Sequence, residues 1–189
     1  MRLTTLVLTA LTLTPAMFGG PITYFAELSG LNEDPTNASP GTGTAIVTFD
    51  DVAHTLRVQV SFSNLLGGTT ASHIHCCGVP STHPLPATMT PSFSGFPNGV
   101  LAGTYDQTFD TLLDATYRPG FLTSSGGTAA TAEATLAAGL AAGQAYLNIH
   151  TSTYSAGEIL GILTPVPEPG TFLLAGLALG GVWLRRKRR

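Results

Sequence analysis

Thr55-Leu56-Arg57-Val58-Gln59-Val60-Ser61-Phe62 places an apolar side chain at every second position and a polar one between. Side chains alternate across a strand, so this stretch reads as a strand with one buried and one wet face. Thr44–Phe49 just before it reads as a second strand, and Asp50–Ala53 as the turn that makes the two an antiparallel hairpin. Ile22–Leu28 is expected to open the domain. Ala71–Cys76, Ala145–Thr151 and Gly157–Leu163 add three more short strands. Val79–Gly99, rich in Pro, Ser, Thr and Gly, reads as a long surface loop. Ala129–Ala142 breaks the pattern: alanine-rich, with Thr128 as N-cap and Gly143 as stop, it is expected to be a short helix. Asp110–Thr123 has room for another helical turn or two. The expectation is an all-β β-sandwich or barrel with Greek-key connections, short helical insertions and no internal repeat.

Both ends lie outside that fold. Met1-Arg2, the apolar run Leu3–Leu13 and the small residues up to Gly20 read as a secretory signal peptide over residues 1–20, addressed to the Sec translocon and signal peptidase. At the other end, Val166-Pro167-Glu168-Pro169 precedes the uncharged run Thr171–Leu184 and then Arg185-Arg186-Lys187-Arg188-Arg189. As a helix at about 1.5 Å per residue the run covers roughly 21 Å, short of a hydrocarbon core of about 30 Å. The terminal cations are expected to hold the C-terminus in the cytoplasm. Breaker, short hydrophobic transmembrane helix and basic cluster over residues 165–189 together resemble the PEP-CTERM sorting signal. That resemblance implies processing by an exosortase in a Gram-negative bacterium, often one that makes extracellular polysaccharide. It also implies a membrane-anchored intermediate, followed by a place at the cell surface or outside the cell.

The remainder, residues 21–164, is one domain of about 145 residues, enough to bury a core without disulfides or metals. Of the basic residues only Arg57 and Arg118 lie within it, against ten acidic residues, so its net charge is −8 with histidines neutral. Such a surface argues against nucleic acid as a partner. It suits solubility, divalent cations or a cation-bridged exopolysaccharide matrix.

Phe25-Ala26-Glu27-Leu28-Ser29-Gly30 with Asn32-Glu33-Asp34-Pro35, then Gly43-Thr44-Ala45, Leu56–Phe62 and Ser63-Asn64-Leu65 follow one another along the domain. Ala71-Ser72-His73-Ile74-His75, Tyr146-Leu147-Asn148-Ile149-His150-Thr151 and Gly157-Glu158-Ile159-Leu160-Gly161 complete the series. In order and spacing the whole resembles the CHRD (chordin-like) domain. The resemblance implies an immunoglobulin-like β-barrel with limited similarity to Cu/Zn superoxide dismutase, and it supplies no reaction. The last motif usually reads Gly-Glu-Ile-Arg-Gly, whereas position 160 is Leu, so any contact made by that Arg is missing.

His73 and His75 are one residue apart and so share a face of their strand, with Ile74 opposite. Tyr146, Asn148 and His150 share one face of theirs. Were the two strands adjacent, three imidazoles would converge, with Glu158 as fourth ligand or as support behind them. Such a set suits Zn²⁺ or Cu²⁺. The competing reading is a buried polar network in which the same histidines, with Asn148, Thr151 and Glu158, clip loops to the sheet. His54 in the hairpin turn reads as a solvated bystander, and His83 in the Pro-rich loop as an outside candidate for the cluster. Cys76-Cys77 has no other cysteine to pair with, leaving open a vicinal disulfide, thiol ligation of a metal or an intermolecular bridge. Glu33-Asp34 and Asp50-Asp51 read as solvated turn formers. No nucleophile elbow, zinc-protease or phosphate-loop motif occurs. Two functions are therefore expected in competition. One is a non-enzymatic cell-surface or extracellular-matrix module. The other is a Cu/Zn redox or storage domain, remotely dismutase-like, built on His73, His75 and His150.

Overall fold

The computed structural model describes residues 20–167. The leader (apart from Gly20), Glu168, Pro169, the hydrophobic run and Arg185, Arg186, Lys187, Arg188 and Arg189 lie outside the described residues. Among the described residues no helix is long and apolar enough to cross a membrane.

Eight strands form a single curled sheet: β1 Ile22–Ser29, β2 Thr42–Asp50, β3 Thr55–Ser63, β4 Thr69–Cys76, β5 Gly103–Asp110, β6 Ala145–Thr151, β7 Ile159–Ile162 and β8 Thr164–Pro165. The spatial order is β4-β6-β7-β1-β2-β3-β5, with β8 also on β1, and every strand pair is antiparallel. β1, β2 and β3 form a meander. The chain then crosses to one edge of the sheet for β4 and returns to the opposite edge for β5, the Greek-key element of the fold. The 55–62 alternation holds as read: Leu56, Val58, Val60 and Phe62 are buried and pair in register with Phe49, Val47, Ala45 and Gly43. Two strands carry no such signal. β5 is an edge strand exposed on most of its length, and β8 has two residues, so neither needs an apolar alternation.

The 79–99 loop is only partly a surface feature. Ala87, Thr88, Phe93 and Phe96 are buried, because the loop covers the free edge of β4: Phe93 N–H donates to Ser72 O and Ala87 N–H to Ile74 O. Phe93 stacks near Tyr105 and Phe109 of β5, and Phe96 stacks on Phe62. The aromatic pair thus plugs the seam between the two edges of the curled sheet.

Helix α1 (Pro119–Ser124) begins with Pro at its first position, where the missing N–H is not needed. Helix α2 (Ala129–Ala141) is capped as expected, with Thr128 accepting from Thr131 N–H and Thr131 returning the bond in a capping box. Its buried positions Ala129, Ala132, Leu136, Gly139 and Leu140 recur at helical spacing and face the core. Gly139 sits against Cys76 and Cys77, which are joined to each other as a disulfide. A Cβ at Gly139 would lie 2.6 Å from Cys77 Sγ and closer still to Cys76 Sγ. Gly139→Ala is therefore expected to destabilise by about 1–3 kcal/mol through overpacking, despite alanine's better helix propensity. Urea unfolding checks this; a gain of about 1 kcal/mol would mean that α2 shifts freely away from the sulfurs.

Candidate metal centre

Register assembles the site. In the β4–β6 pair, His73 lies opposite Asn148, His75 opposite Tyr146 and His150 opposite Ala71. Directly opposed residues in antiparallel strands share a face, so all three histidines project together. Ile74, Leu147 and Ile149 point to the other side and belong to the hydrophobic core. His73 is buried, while His75 and His150 are partly exposed.

Three backbone carbonyls aim the rings. His73 Nδ1 lies 2.9 Å from Pro91 O, His75 Nδ1 2.6 Å from Pro84 O and His150 Nδ1 3.0 Å from Ser155 O. A carbonyl oxygen can only accept, so each Nδ1 carries the hydrogen and each neutral ring keeps a bare lone pair on Nε2. Those lone pairs face one another: Nε2 of His73 is 2.9 Å from that of His75 and 3.1 Å from that of His150. All three ligand atoms lie within 4.8 Å of one another. Acceptors in contact, His73 with His75 and His73 with His150, repel with no hydrogen between them unless a cation sits among them. Ligating histidines characteristically donate their second nitrogen to a carbonyl in this way. Zinc–nitrogen distances near 2.0–2.1 Å in a tetrahedron hold neighbouring nitrogens about 3.3 Å apart, a small adjustment for the His73–His75 and His73–His150 pairs.

Protonation is opposed throughout. Burial lowers His73 to about 3, with the nearby His75, His150 and Arg118 adding to the effect against the Pro91 bond. Burial likewise lowers His75 to about 4, and His150 also falls below its ordinary value. The rings are thus deprotonated and ready for a metal well below neutral pH. The sign for stability follows from these depressed values. Between pH 6.5 and 3 the unfolded chain takes up protons that folded imidazoles refuse, so the metal-free fold loses stability on acidification. For His73 alone the loss is roughly 3 kcal/mol by pH 4. Glu33 acts in the opposite sense, because burial raises it to about 7 against the Asn148 hydrogen bond. Its contribution is complete below pH 4.5 and fades as pH rises through 7. Urea unfolding at pH 6.5, 5 and 4 should therefore show a steeper decline in the native protein than in a His73→Gln/His75→Gln variant; parallel slopes would contradict the assignment.

The remaining candidates separate clearly. Glu158 is fully buried, and its carboxylate accepts from Ser39 Oγ (2.6 Å), Leu66 N–H (2.6 Å), Gly67 N–H (3.3 Å) and Thr151 Oγ1 (2.5 Å). It is not among the three clustered ligands. Burial alone would raise its pKa, but these four bonds outweigh that and hold it below the usual carboxylate value. Cys76 and Cys77 are consumed by their mutual disulfide, which leaves no thiolate for a metal. His83 lines a cavity of about 180 Å³ beside His75 without joining the cluster. Leu160, where the usual motif has Arg, is buried opposite Asn148 and lines the same cavity.

Two sequence readings need correcting. His54 is not a bystander: its Nδ1 lies 3.0 Å from Glu133 Oε2, whose other oxygen accepts from Thr111 Oγ1, tying the β2–β3 turn to α2. Glu33 is not a solvated turn former either. Its side chain folds under Gly157, beside Asn148, and is only 8% exposed. Asp50 does act as read, accepting from Val52 and Ala53 N–H in the hairpin turn. Arg118, whose charge reaches His73 and His75, has no signal in the sequence beyond being one of two cations in the domain.

The CHRD domain family model matches residues 24–163, and the PEP-CTERM protein-sorting motif matches residues 165–189. No curated protein and no solved structure matches significantly. The second match begins where the sheet ends: Val166 N–H still donates to Thr23 O on β1, so the sorting segment leaves the domain directly from β8. A sorting segment of this kind is the substrate of an exosortase, and it implies export through a membrane-anchored intermediate. The chain belongs to the CHRD domain family and carries a PEP-CTERM sorting motif at its C-terminal end.

Proposed function

We propose that the protein is a non-enzymatic module working at the cell surface or in the extracellular matrix, where its CHRD domain holds a Zn²⁺ or Cu²⁺ ion through His73, His75 and His150. One observation carries this reading: three Nε2 lone pairs turned toward one another while every Nδ1 is committed to a carbonyl. A purely structural network would be expected to give at least one of those nitrogens a hydrogen-bond donor. Three nitrogens leave a fourth position open. Glu158 in this reading supports the site from behind: its carboxylate fastens Thr151, next to His150, to the 66–67 backbone. Elemental analysis of the full chain after dialysis against a mild chelator tests it. About one zinc or copper per chain is the expected result; metal only at the level of a surface-bound trace would leave the histidines as a structural clip.

The net charge of −8 on the exported domain favours a matrix role, since cations can bridge such a surface to an acidic polysaccharide. Retention on an acidic exopolysaccharide should then require millimolar Ca²⁺ and vanish with a chelator. Equal retention without the cation would remove charge bridging from the account.

A further inference from the structure

Buried polar atoms almost always have a hydrogen-bond partner, so the exceptions mark where something is missing. Two exceptions among the described residues belong to one cavity. Glu33 Oε1 and Asn148 Oδ1 are buried and unpartnered, and both residues line the space of about 180 Å³ beside His75. Glu33 is 8% exposed and Asn148 4%. Each orients the other, since Asn148 Nδ2 donates to Glu33 Oε2 at 3.5 Å. Turning the amide over would set oxygen against oxygen, so Asn148 leaves its own acceptor free. An ionised Glu33 likewise has nothing but acceptors to offer. The cavity therefore holds two bare acceptors and needs a donor from outside.

Charge narrows the choice of donor. Asp34 lines the same cavity, and neither carboxylate joins an ion pair among the described residues, where the pairs are His54–Glu133 and Arg57–Asp106. No Lys or Arg lines the space; its titratable groups are Glu33, Asp34, His75, His83 and Tyr146. A hydroxyl could satisfy the two orphaned oxygens, but only a cation also balances the carboxylates. Hydrogen bonds to ionised groups are about twice as strong as neutral ones. A second metal ion is not favoured, because the ligand cluster among the described residues is His73, His75 and His150, without Glu33 or Asp34. The walls then set the body of the ligand. Pro84, Pro86 and Leu160 are apolar, and Tyr146 is held in place by stacking on His75 at 4.7 Å. An apolar cavity of about 150 Å³ takes up benzene, so this one has room for a single ring.

We propose that this cavity binds a small organic cation, its primary ammonium donating to Glu33 and Asn148 and its compact apolar body lying against Pro84, Pro86 and Leu160. Glu33 supplies the buried charge, Asn148 the second acceptor, and Asp34 attracts the cation from an exposed position at the rim. An ammonium has three donors and no acceptor, the complement of two oxygens that can only accept. The site does not depend on the metal reading. His75 serves it as a wall, with its Nδ1 already committed to Pro84 O.

The test is calorimetric titration of the full chain in a nonionic detergent with cyclohexylammonium, beside its neutral counterpart cyclohexanol. Phosphate buffer at about pH 8 keeps out competing amines and ionises Glu33, which burial raises to about 7. A chelator is present throughout, so failure of the metal reading leaves the outcome unaffected. The native protein should take up cyclohexylammonium saturably, and cyclohexanol at least ten-fold more weakly. Glu33→Gln should weaken the ammonium at least ten-fold while leaving the alcohol unchanged. Asp34→Asn, at an exposed position, should weaken it by roughly two- to five-fold. Melting curves show whether each variant folds. No saturable uptake by the native protein, or equal affinity for ammonium and alcohol, overturns the proposal. So does undiminished ammonium binding in Glu33→Gln, or in Asp34→Asn should Glu33→Gln not fold.

Discussion

Replacing His73 by alanine is expected to abolish stoichiometric metal uptake, from about one ion per chain to none. His73 stands between the other two ligands, with its Nε2 at 2.9 Å from His75 and 3.1 Å from His150. Removing it leaves two nitrogens on different strands, too few for a closed or catalytic-type zinc set. Affinity should fall by orders of magnitude rather than by a factor of a few. His54→Ala is the matched control, since His54 serves Glu133 in the β2–β3 turn and α2. It should bind metal as the native protein does while losing some stability. Metal content that survives in His73→Ala would mean that the ion sits elsewhere and that the three rings are a structural clip.

Glu158→Ala is expected to give the largest loss of stability of any single change considered, about 3–5 kcal/mol. The carboxylate is the common acceptor for two backbone N–H groups and two hydroxyls drawn from three parts of the chain: Ser39, the 66–67 turn and Thr151. Alanine leaves all four donors without an acceptor in a site closed to water, and each such loss is about 1–3 kcal/mol before relaxation. Glu158→Gln should lose less, because its amide oxygen still accepts while its NH₂ faces donors. The contribution also carries a sign with pH. The folded pKa lies below the ordinary carboxylate value, so the stabilisation is present above that value and is lost as pH falls. Thermal and urea unfolding of both variants measure it; a loss under about 1 kcal/mol for Glu158→Ala would mean that water reaches the donors.

The metal-facing half of the site was legible from the period of two alone. His73 and His75 had to share a face, and so did Tyr146, Asn148 and His150. What spacing could not say was whether the two strands are neighbours. His73 and His150 are 77 positions apart in the chain, and only the β4–β6 register brings His150 diagonally onto His73. The carbonyls of Pro84, Pro91 and Ser155 were invisible for a different reason. Any residue has a carbonyl, so its identity says nothing of where that oxygen points. Glu33 was misread because two adjacent acids beside a proline look like a turn, and nothing local reveals that Gly157 closes over the carboxyl from the far end of the domain.

By itself, then, the sequence determined most of the elements, β5 and β8 excepted, and the address. Leu56–Phe62 could only be a half-buried strand, Ala129–Ala142 with Thr128 before it could only be a capped helix, and the PEP-CTERM motif marks the chain for export. These follow from local periodicity, capping and composition, which need no knowledge of distant residues. Tertiary structure alone decided what the polar residues do. It gathered three histidines from two strands, diverted Glu158 to the 66–67 backbone, and laid Arg118 along the strap that aims the rings. A buried polar group is defined by its partners, and those partners come from segments that meet only when the sheet has curled.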